Sequence, residues 1–199
     1  REFVRILLAG GRIDVRLSRP RRTKVGDHRP PCRLRPRHRI SLNDDLNPYA
    51  FLTTLLHEIA HASTWERYRG RRRVRPHGRE WKAEFGRILE PVVAGGMLPE
   101  DVRAALGRSL ADPAAATCSD RGLALALSRY DAVDPRQVFV ESLTPGSVFR
   151  TDCGMRFRLG PKLRTRYQCV ELGTGREYRM HALCRVTMVD GAAEARPRA

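Results

Sequence analysis

Hydrophobic residues recur at helical spacing through the middle of the chain. Asn47 is a favourable N-cap and Pro48 suits the first helical position, so the pattern predicts a helix from Pro48 to about Arg69. Gly70 marks its end. The apolar face is wide enough for central burial and comprises Phe51, Leu52, Leu55, Leu56 and Ile59.

Three other segments have the same periodicity. A second helix is predicted from about His77 to Gly95, with apolar positions at Trp81, Phe85, Ile88, Leu89 and Val92. Shorter helices are predicted in LPEDVRAALGRSL and SDRGLALALSRY, and the segment from Arg1 to Ala9 has the pattern of a helix end.

A period of two residues occurs on both sides of these helices. Before them, RIDVRLSRPR, part of TKVGDHRPPCRLRPRH, and RISLN predict a small antiparallel sheet of two or three strands. From Gln137 onward, five or six short alternating segments separated by TPG, CG, GPK and GTG turns predict a small barrel or curled sheet.

The order of these elements predicts an α+β fold with two domains. Residues 1–135 would hold the small sheet and the helices, and residues 136–190 a small all-β domain. The tail, residues 191–199, is small and polar, and we expect it to be disordered.

Charge is the one unusual feature of the composition. The chain has 38 Lys and Arg against 22 Asp and Glu, a net charge of +16. Such an excess attracts polyanions, so nucleic acid is the first partner to consider. A GC-rich genome, which encodes arginine freely, would give the same composition with no such partner.

Cysteines and hydropathy exclude several classes of protein. Five cysteines without a CxxC pair argue against a disulfide framework and against a four-cysteine zinc site. No apolar run approaches 18 residues, and REFVRILLAGG lacks the features of a signal peptide. We therefore expect a cytoplasmic protein that is not in a membrane, and further residues before Arg1.

Candidate chemistry lies inside the first predicted helix. His57, Glu58 and His61 form an HExxH motif, in which residues four apart face the same side of a helix. Both imidazoles can bind one metal ion, while Glu58 points to an open coordination position and acts as acid or base.

A catalytic zinc site needs a third protein ligand. A histidine six residues after His61 is absent, because Arg67 stands there. His77 in VRPHGREW is the favoured candidate, since it lies at the entry to the second helix. Glu80 and Glu84 are the alternatives.

FLTTLLHEIAHASTWERY followed by RVRPHGREWKAEF resembles the SprT family of zinc metalloproteases, in which an HExxH helix precedes a histidine in an HGxxW-like segment. RRTKVGDH and RISLNDDLNPY resemble the strands before that helix, so the likeness spans about Arg16 to Leu89. It implies a minimal zincin-like core with one Zn2+ per chain, held by His57, His61 and His77, and Glu58 as the catalytic group. The cysteine zinc ribbon of the founding members is missing, which makes the chain more similar to ribbon-less bacterial members.

The resemblance implies a protein or peptide substrate, and it also bears on nucleic acid. Spartan-like members of the family cleave proteins crosslinked to DNA. The segment from Arg69 to Arg75 joins the two metal-ligand segments, and its candidate phosphate contacts are Arg71, Arg72, Arg73 and Arg75. A solvated loop without a ligand is the plain alternative.

Two other functions are compatible with the motif. One is a nucleic-acid-binding protein with a structural zinc site and no catalysis, and the other is a zinc hydrolase of small amides. Glu58 favours an enzyme, because a structural site needs no general base. Tyr49, Tyr68 and Arg79 are candidate oxyanion donors, and Trp65 and Trp81 are expected in the core.

Overall fold

The computed structural model describes residues 12–21, 23–69, 74–111, 120–132 and 134–189. The chain divides into two compact units, Arg1–Asp131 and Ala132–Ala199. The predicted helix at residues 1–9 and the predicted tail at residues 191–199 lie outside the described residues.

The first unit contains a three-stranded sheet. Its strands are β1 (Ile13–Ser18), β2 (Gly26–Arg29) and β3 (His38–Asn43), in the order β1-β3-β2. β2 is antiparallel to β3, as predicted, but β1 is parallel to β3, so the prediction of a purely antiparallel sheet is wrong. The reason is that β3, whose Ile40 and Leu42 are fully buried, lies between β1 and β2. Because β1 and β2 run in opposite directions, β3 can be antiparallel to only one of them.

Four helices of the first unit lie within the described residues: α1 (Pro48–Tyr68), α2 (Arg79–Ala94), α3 (Glu100–Ala111) and α4 (Arg121–Ser128). The predicted start of α1 is confirmed, because Asn47 Oδ1 accepts hydrogen bonds from the backbone N–H groups of Tyr49 and Ala50. No described helix is long and apolar enough to cross a membrane.

α2 begins later than the predicted His77. Gly78 is its N-cap, and His77 has a backbone φ of +56°, in the left-handed region. A right-handed helix cannot include that conformation, so the helix starts at Arg79.

α1 is the central element of the first unit. It packs against β2, β3, α2 and α4, and its Ile59 and Ala60 have no exposed surface. A helix covered on several sides buries polar as well as apolar residues. His57 and Glu58 of the HExxH motif are therefore among the buried residues of α1.

The second unit is an antiparallel sheet, and its six strands confirm the predicted period of two. They are β4 (Gln137–Phe139), β5 (Val148–Arg150), β6 (Arg156–Lys162), β7 (Arg166–Glu171), β8 (Glu177–His181) and β9 (Arg185–Met188). Their order is β4-β9-β5-β6-β7-β8. A separate core, with Phe149, Phe157, Leu159, Cys169 and Val186 at its centre, lies on one face of this sheet.

Candidate metal centre

Three histidine side chains converge between α1 and the segment before α2. Nε2 of His77 lies 3.1 Å from Nε2 of His57 and 2.9 Å from Nε2 of His61. The candidate ligand atoms of the three rings all lie within 4.8 Å of one another. The structure thus brings together the three residues that the sequence singled out as metal ligands.

This arrangement fits a metal ion. Three nitrogens at 2.0–2.1 Å from a tetrahedral zinc stand about 3.3 Å apart, close to the spacing here. Burial, and then the neighbouring imidazoles, lower the pKa of His57 to about 3, and burial first lowers that of His61 to about 4. Burial also lowers the pKa of His77. All three rings are therefore neutral near pH 7, the form that binds metal.

The backbone of His77 is adapted to this position. Among the described residues, His77 is the one non-glycine residue with a positive φ, at +56°. Such a conformation costs roughly 1–2 kcal/mol for a residue with a Cβ. It turns the chain directly before α2, where the ring meets the rings of His57 and His61.

Glu84, an alternative third ligand, is committed to other contacts. Its carboxylate is 1% exposed and accepts hydrogen bonds from Arg67 at 2.6 Å, Arg87 at 2.7 Å and the hydroxyl of Ser63. These donors lower the pKa of Glu84 against the opposing effect of burial. Glu84 is thus a structural ion-pair centre. Glu80, the other alternative, is not among the residues that meet at the histidines.

Glu58 lies against the backbone of β2. A Cβ on Gly26 would stand 2.5 Å from Oε1 of Glu58, so only glycine lets the strand approach so closely. The backbone N–H of His28 also donates to the Glu58 carboxylate.

Burial dominates the electrostatics of Glu58. It raises the pKa of Glu58 to about 7, with a smaller contribution from the negative charge of Asp27. Lys24, Arg21 and the His28 N–H act in the opposite direction. A carboxyl group whose pKa is near neutrality can both accept and return a proton.

Trp81 forms a wall of the site. Its ring lies 4.7 Å from that of His57 and 4.8 Å from that of His77, centroid to centroid, and stacks on Phe85. The side chain is 1% exposed, which confirms its predicted place in the core. Its indole N–H has no hydrogen-bond partner among the described residues.

Sequence reasoning missed a buried hydrogen-bonded chain beside the histidines. Glu66 Oε1 lies 3.0 Å from Nε2 of His38, and Nδ1 of His38 lies 2.9 Å from Nε2 of His28. A carboxylate accepts only, so His38 donates to Glu66 and accepts from His28. The ring of His28 in turn stacks parallel to that of His61 at 6.2 Å.

The sequence contained only a weak signal for this series of hydrogen bonds. His28 and His38 are ten residues apart in TKVGDHRPPCRLRPRH, a segment in which only a short strand and a loop were predicted, and Glu66 lies on the predicted helix. Only the pairing of β2 with β3, and the packing of α1 on both, brings the three together.

A cavity of about 570 Å3 opens beside His61, one of the three converging histidines. His28, His61, Trp65, Tyr68 and Trp81 contribute to its walls. Trp65 is half-buried and lines the cavity as well as packing on His38, so the prediction of a core position holds only in part.

Only some of the candidate oxyanion donors and candidate phosphate-binding arginines lie at this cavity. Tyr68 lines the cavity, whereas Tyr49 packs edge-on against Tyr130, and Arg79 is exposed. Arg75 is exposed and also lines the cavity. Arg71, Arg72 and Arg73 lie outside the described residues.

Comparison with known proteins gives one result. Residues 5–101 match the model of the SprT-like family. No curated protein and no solved structure matches the chain. The matched range contains β1 to β3, α1 and α2, with Glu58 and all three converging histidines, and it excludes the six-stranded sheet.

Proposed function

Because the chain belongs, over residues 5–101, to the SprT-like family, which is generally associated with zincin-like metallopeptidases, we propose that this protein is a zinc-dependent endopeptidase. The observation that carries the proposal is the convergence of His57, His61 and His77 beside a buried Glu58. Zinc bound by these three imidazoles would polarise a scissile carbonyl and lower the pKa of a coordinated water.

Glu58 is the proton carrier of the proposed reaction. Its carboxylate takes a proton from the attacking water and returns it to the leaving amine. The close approach of Gly26 and the hydrogen bond from the backbone N–H of His28 restrict the position of the Glu58 carboxylate. The side chain is therefore positioned before the reaction begins.

A polypeptide suits the site better than a small amide. β2 is an edge strand of the sheet and lies beside Glu58. An extended peptide can bind along such an edge through main-chain hydrogen bonds. The adjoining cavity, with Trp65 and Tyr68 in its wall, offers an apolar surface for a neighbouring side chain.

The charge of the chain supports substrates that are associated with nucleic acid. A net charge of +16 favours encounter with polyanions, and Arg75 at the cavity would place a phosphate group near the cleavage site. The same charge supports the second candidate, a nucleic-acid-binding protein in which the zinc is structural. Glu58 separates the two candidates, because only catalysis requires it.

The test compares wild-type protein with Glu58→Gln and His77→Ala, all purified without added metal. Zinc content is measured by mass spectrometry, and cleavage of labelled unfolded casein is followed with and without DNA. We expect one zinc per chain in the wild type and in Glu58→Gln, and much less in His77→Ala. Cleavage should fall by a factor of 10² or more in Glu58→Gln, the scale of lost general-base catalysis.

Two outcomes would overturn the proposal. A Glu58→Gln variant that cleaves at the wild-type rate would show that this carboxylate is not the base. Folded wild-type protein that holds zinc but cleaves nothing, with or without DNA, would favour the structural-zinc alternative.

A further inference from the structure

The second unit has one sheet face that carries a set of arginines, which we call the arginine face. Along β5 to β8, alternate residues such as Phe149, Phe157 and Leu159 point into the core. The intervening positions therefore face solvent. They carry five exposed arginines: Arg150, Arg156, Arg158, Arg166 and Arg179.

The strand register places these side chains next to one another. Arg150 lies directly opposite Arg156, and Arg158 follows two residues further along β6. Arg158 faces Val170 on β7, and Gln168, two residues before Val170, faces Arg179 on β8. Arg166 precedes Gln168 by two residues on β7 and lies opposite His181. Neighbouring strands are about 4.8 Å apart and alternate residues about 6.7 Å apart, so the five arginines lie on one face of four neighbouring strands, with Val170 and Gln168 between Arg158 and Arg179.

This arrangement is unfavourable for the isolated fold. Like charges directly opposite each other in an antiparallel pair destabilise a sheet. Arg150 and Arg156 form such a pair, although many uncharged residues would serve equally at exposed strand positions. A surface that retains the repulsion is consistent with a partner that neutralises it.

Two acidic side chains near the arginine face, those of Asp152 and Glu171, are engaged elsewhere. Asp152 accepts a hydrogen bond from the Gln137 amide at 2.9 Å, and Glu171 accepts from the Thr174 hydroxyl at 2.6 Å. Within the described ranges, none of the five arginines forms an ion pair. Glu177, at the β8 edge and opposite Val170, is the acid that shares their face.

Other arginines of the same chain are neutralised. Arg103 pairs with Glu100, Arg129 with Asp101 at 3.0 Å, and Arg136 with Asp134 at 2.6 Å. Among the residues that the structure describes, the five arginines of the arginine face have no such partner, and it is their alignment on one sheet face, rather than their number, that indicates a ligand.

We propose that the arginine face binds the phosphate backbone of a nucleic acid without reading its bases. The planar guanidinium group is matched to phosphate oxygens and can bind them in a bidentate manner. The aromatic side chains on this face are already engaged, because the guanidinium of Arg185 lies 4.6 Å from the ring of Phe139 and His181 Nδ1 accepts a hydrogen bond from the backbone N–H of Leu183. A protein partner is disfavoured, since protein interfaces centre on apolar and aromatic residues, and here Val148, Val170 and the Arg185-covered Phe139 are the apolar members among the arginines.

This proposal does not depend on the proposed peptidase activity. The arginine face lies in the unit Ala132–Ala199, whereas the converging histidines belong to the unit Arg1–Asp131. Loss of DNA binding in the experiment below would leave the zinc content and the cleavage measured without DNA unchanged, and loss of zinc or of that cleavage would leave DNA binding by the arginine face unchanged.

The experiment measures binding of the full chain to a 30-base-pair duplex of arbitrary sequence, between 50 and 200 mM salt. Each phosphate neutralised contributes about −0.9 to the slope of log K against log salt. Five contacts give a slope of about −4.5, equivalent to a roughly 500-fold loss of affinity over this range. A second duplex of unrelated sequence should bind with the same affinity.

The triple variant Arg150→Ala, Arg156→Ala, Arg158→Ala should reduce the magnitude of the slope by about 2.7, because three contacts are lost. The matched control is Arg103→Ala, Arg129→Ala, Arg136→Ala, which removes the same charge from paired positions. The control should change the slope by less than 1. Circular dichroism and thermal melting should show both variants folded.

Three results would each refute the proposal. The first is no duplex binding by the wild type at 50 mM salt. The second is an equal change of slope in the triple variant and its control, which would place the phosphate contacts elsewhere. The third is polyglutamate binding as tightly as DNA of equal charge, which would indicate an acidic protein as the partner.

Discussion

At the scale of single residues, His77 joins a strained backbone to a position where three rings meet. A side chain with a Cβ at φ +56° lowers stability, and it persists only where the surrounding structure enforces it. This backbone conformation places Nε2 of His77 within 2.9–3.1 Å of the Nε2 atoms of His57 and His61. Ligand geometry and fold stability are thus in opposition at this residue.

This opposition predicts the result of two substitutions. His77→Gly and His77→Ala should both lose zinc, because both remove the ring. In the metal-free state, however, the glycine variant should be more stable than the alanine variant by about 1 kcal/mol, since glycine adopts a positive φ without strain. Urea denaturation in the presence of a chelator measures the difference.

The reverse order of stability would contradict a left-handed backbone at His77. Gly86→Ala is a control for the general effect of glycine, because a Cβ at this helical position meets no atom within 4 Å. There, alanine should be the more stable of the two residues, as in any exposed helix interior.

At the scale of elements, α1 is stabilised at its N-terminus by one side chain with two functions. Asn47 Oδ1 caps the helix, while Nδ2 donates to the carbonyl of Leu127 at 2.9 Å and to Asp131 Oδ1 at 2.6 Å. The cap residue therefore fixes the start of α1 and also ties it to the end of α4.

Asn47→Asp separates these functions. Aspartate is an equally good N-cap, but it cannot donate a hydrogen bond and would face the Asp131 carboxylate. We expect a loss of about 1–3 kcal/mol in the free energy of unfolding, the scale of a buried polar contact left unmade. Chemical denaturation of the two proteins measures it.

The double variant Asn47→Asp, Asp131→Asn is the control, because it restores a donor opposite an acceptor. It should recover most of the lost stability. If Asn47→Asp alone is as stable as the wild type, the contacts with α4 contribute nothing, and capping is the whole function of Asn47.

At the scale of the whole molecule, the two units have separate cores and separate chemistry. The cluster of α1 to α4 with β1 and β3 excludes every residue of the cluster around Phe149. All candidate metal ligands belong to the first unit. Metal binding should therefore stabilise only that unit.

Calorimetry of the full chain tests this separation. At free zinc 100 times the dissociation constant, binding adds about 2.7 kcal/mol to the unit that binds. Chelation should lower the temperature of one unfolding transition and leave the other unchanged. His77→Gly should abolish the zinc-dependent shift, whereas a shift of both transitions would show that the units unfold together.

Much of the fold was predictable because local patterns were clear. The Asn47-Pro48 start of α1 and the alternation in all six strands of the second unit agree with the structure. The sheet of the first unit was predicted less well. Alternation shows that β1 is extended, but its parallel pairing with β3 depends on which strand takes the buried centre.

The candidate site was likewise predictable only in part. HExxH spacing places His57 and His61 on one side of any helix, and the local HGREW pattern favoured His77. The environment of Glu58 could not be predicted, because Gly26 is 32 residues away and meets it only when β2 packs on α1. The connection from Glu66 through His38 to His28 was hidden for the same reason.

The sequence by itself determined most of the described helices and strands and the grouping of His57, Glu58 and His61 on one helix, because these follow from periodicity and spacing along one segment. Tertiary structure alone decided the direction of β1, the commitment of Glu84 to Arg67 and Arg87, the raised pKa of Glu58 and the alignment of arginines on one sheet face. Each of these depends on the burial or strand register of residues far apart in the chain, and a local pattern carries no information about either.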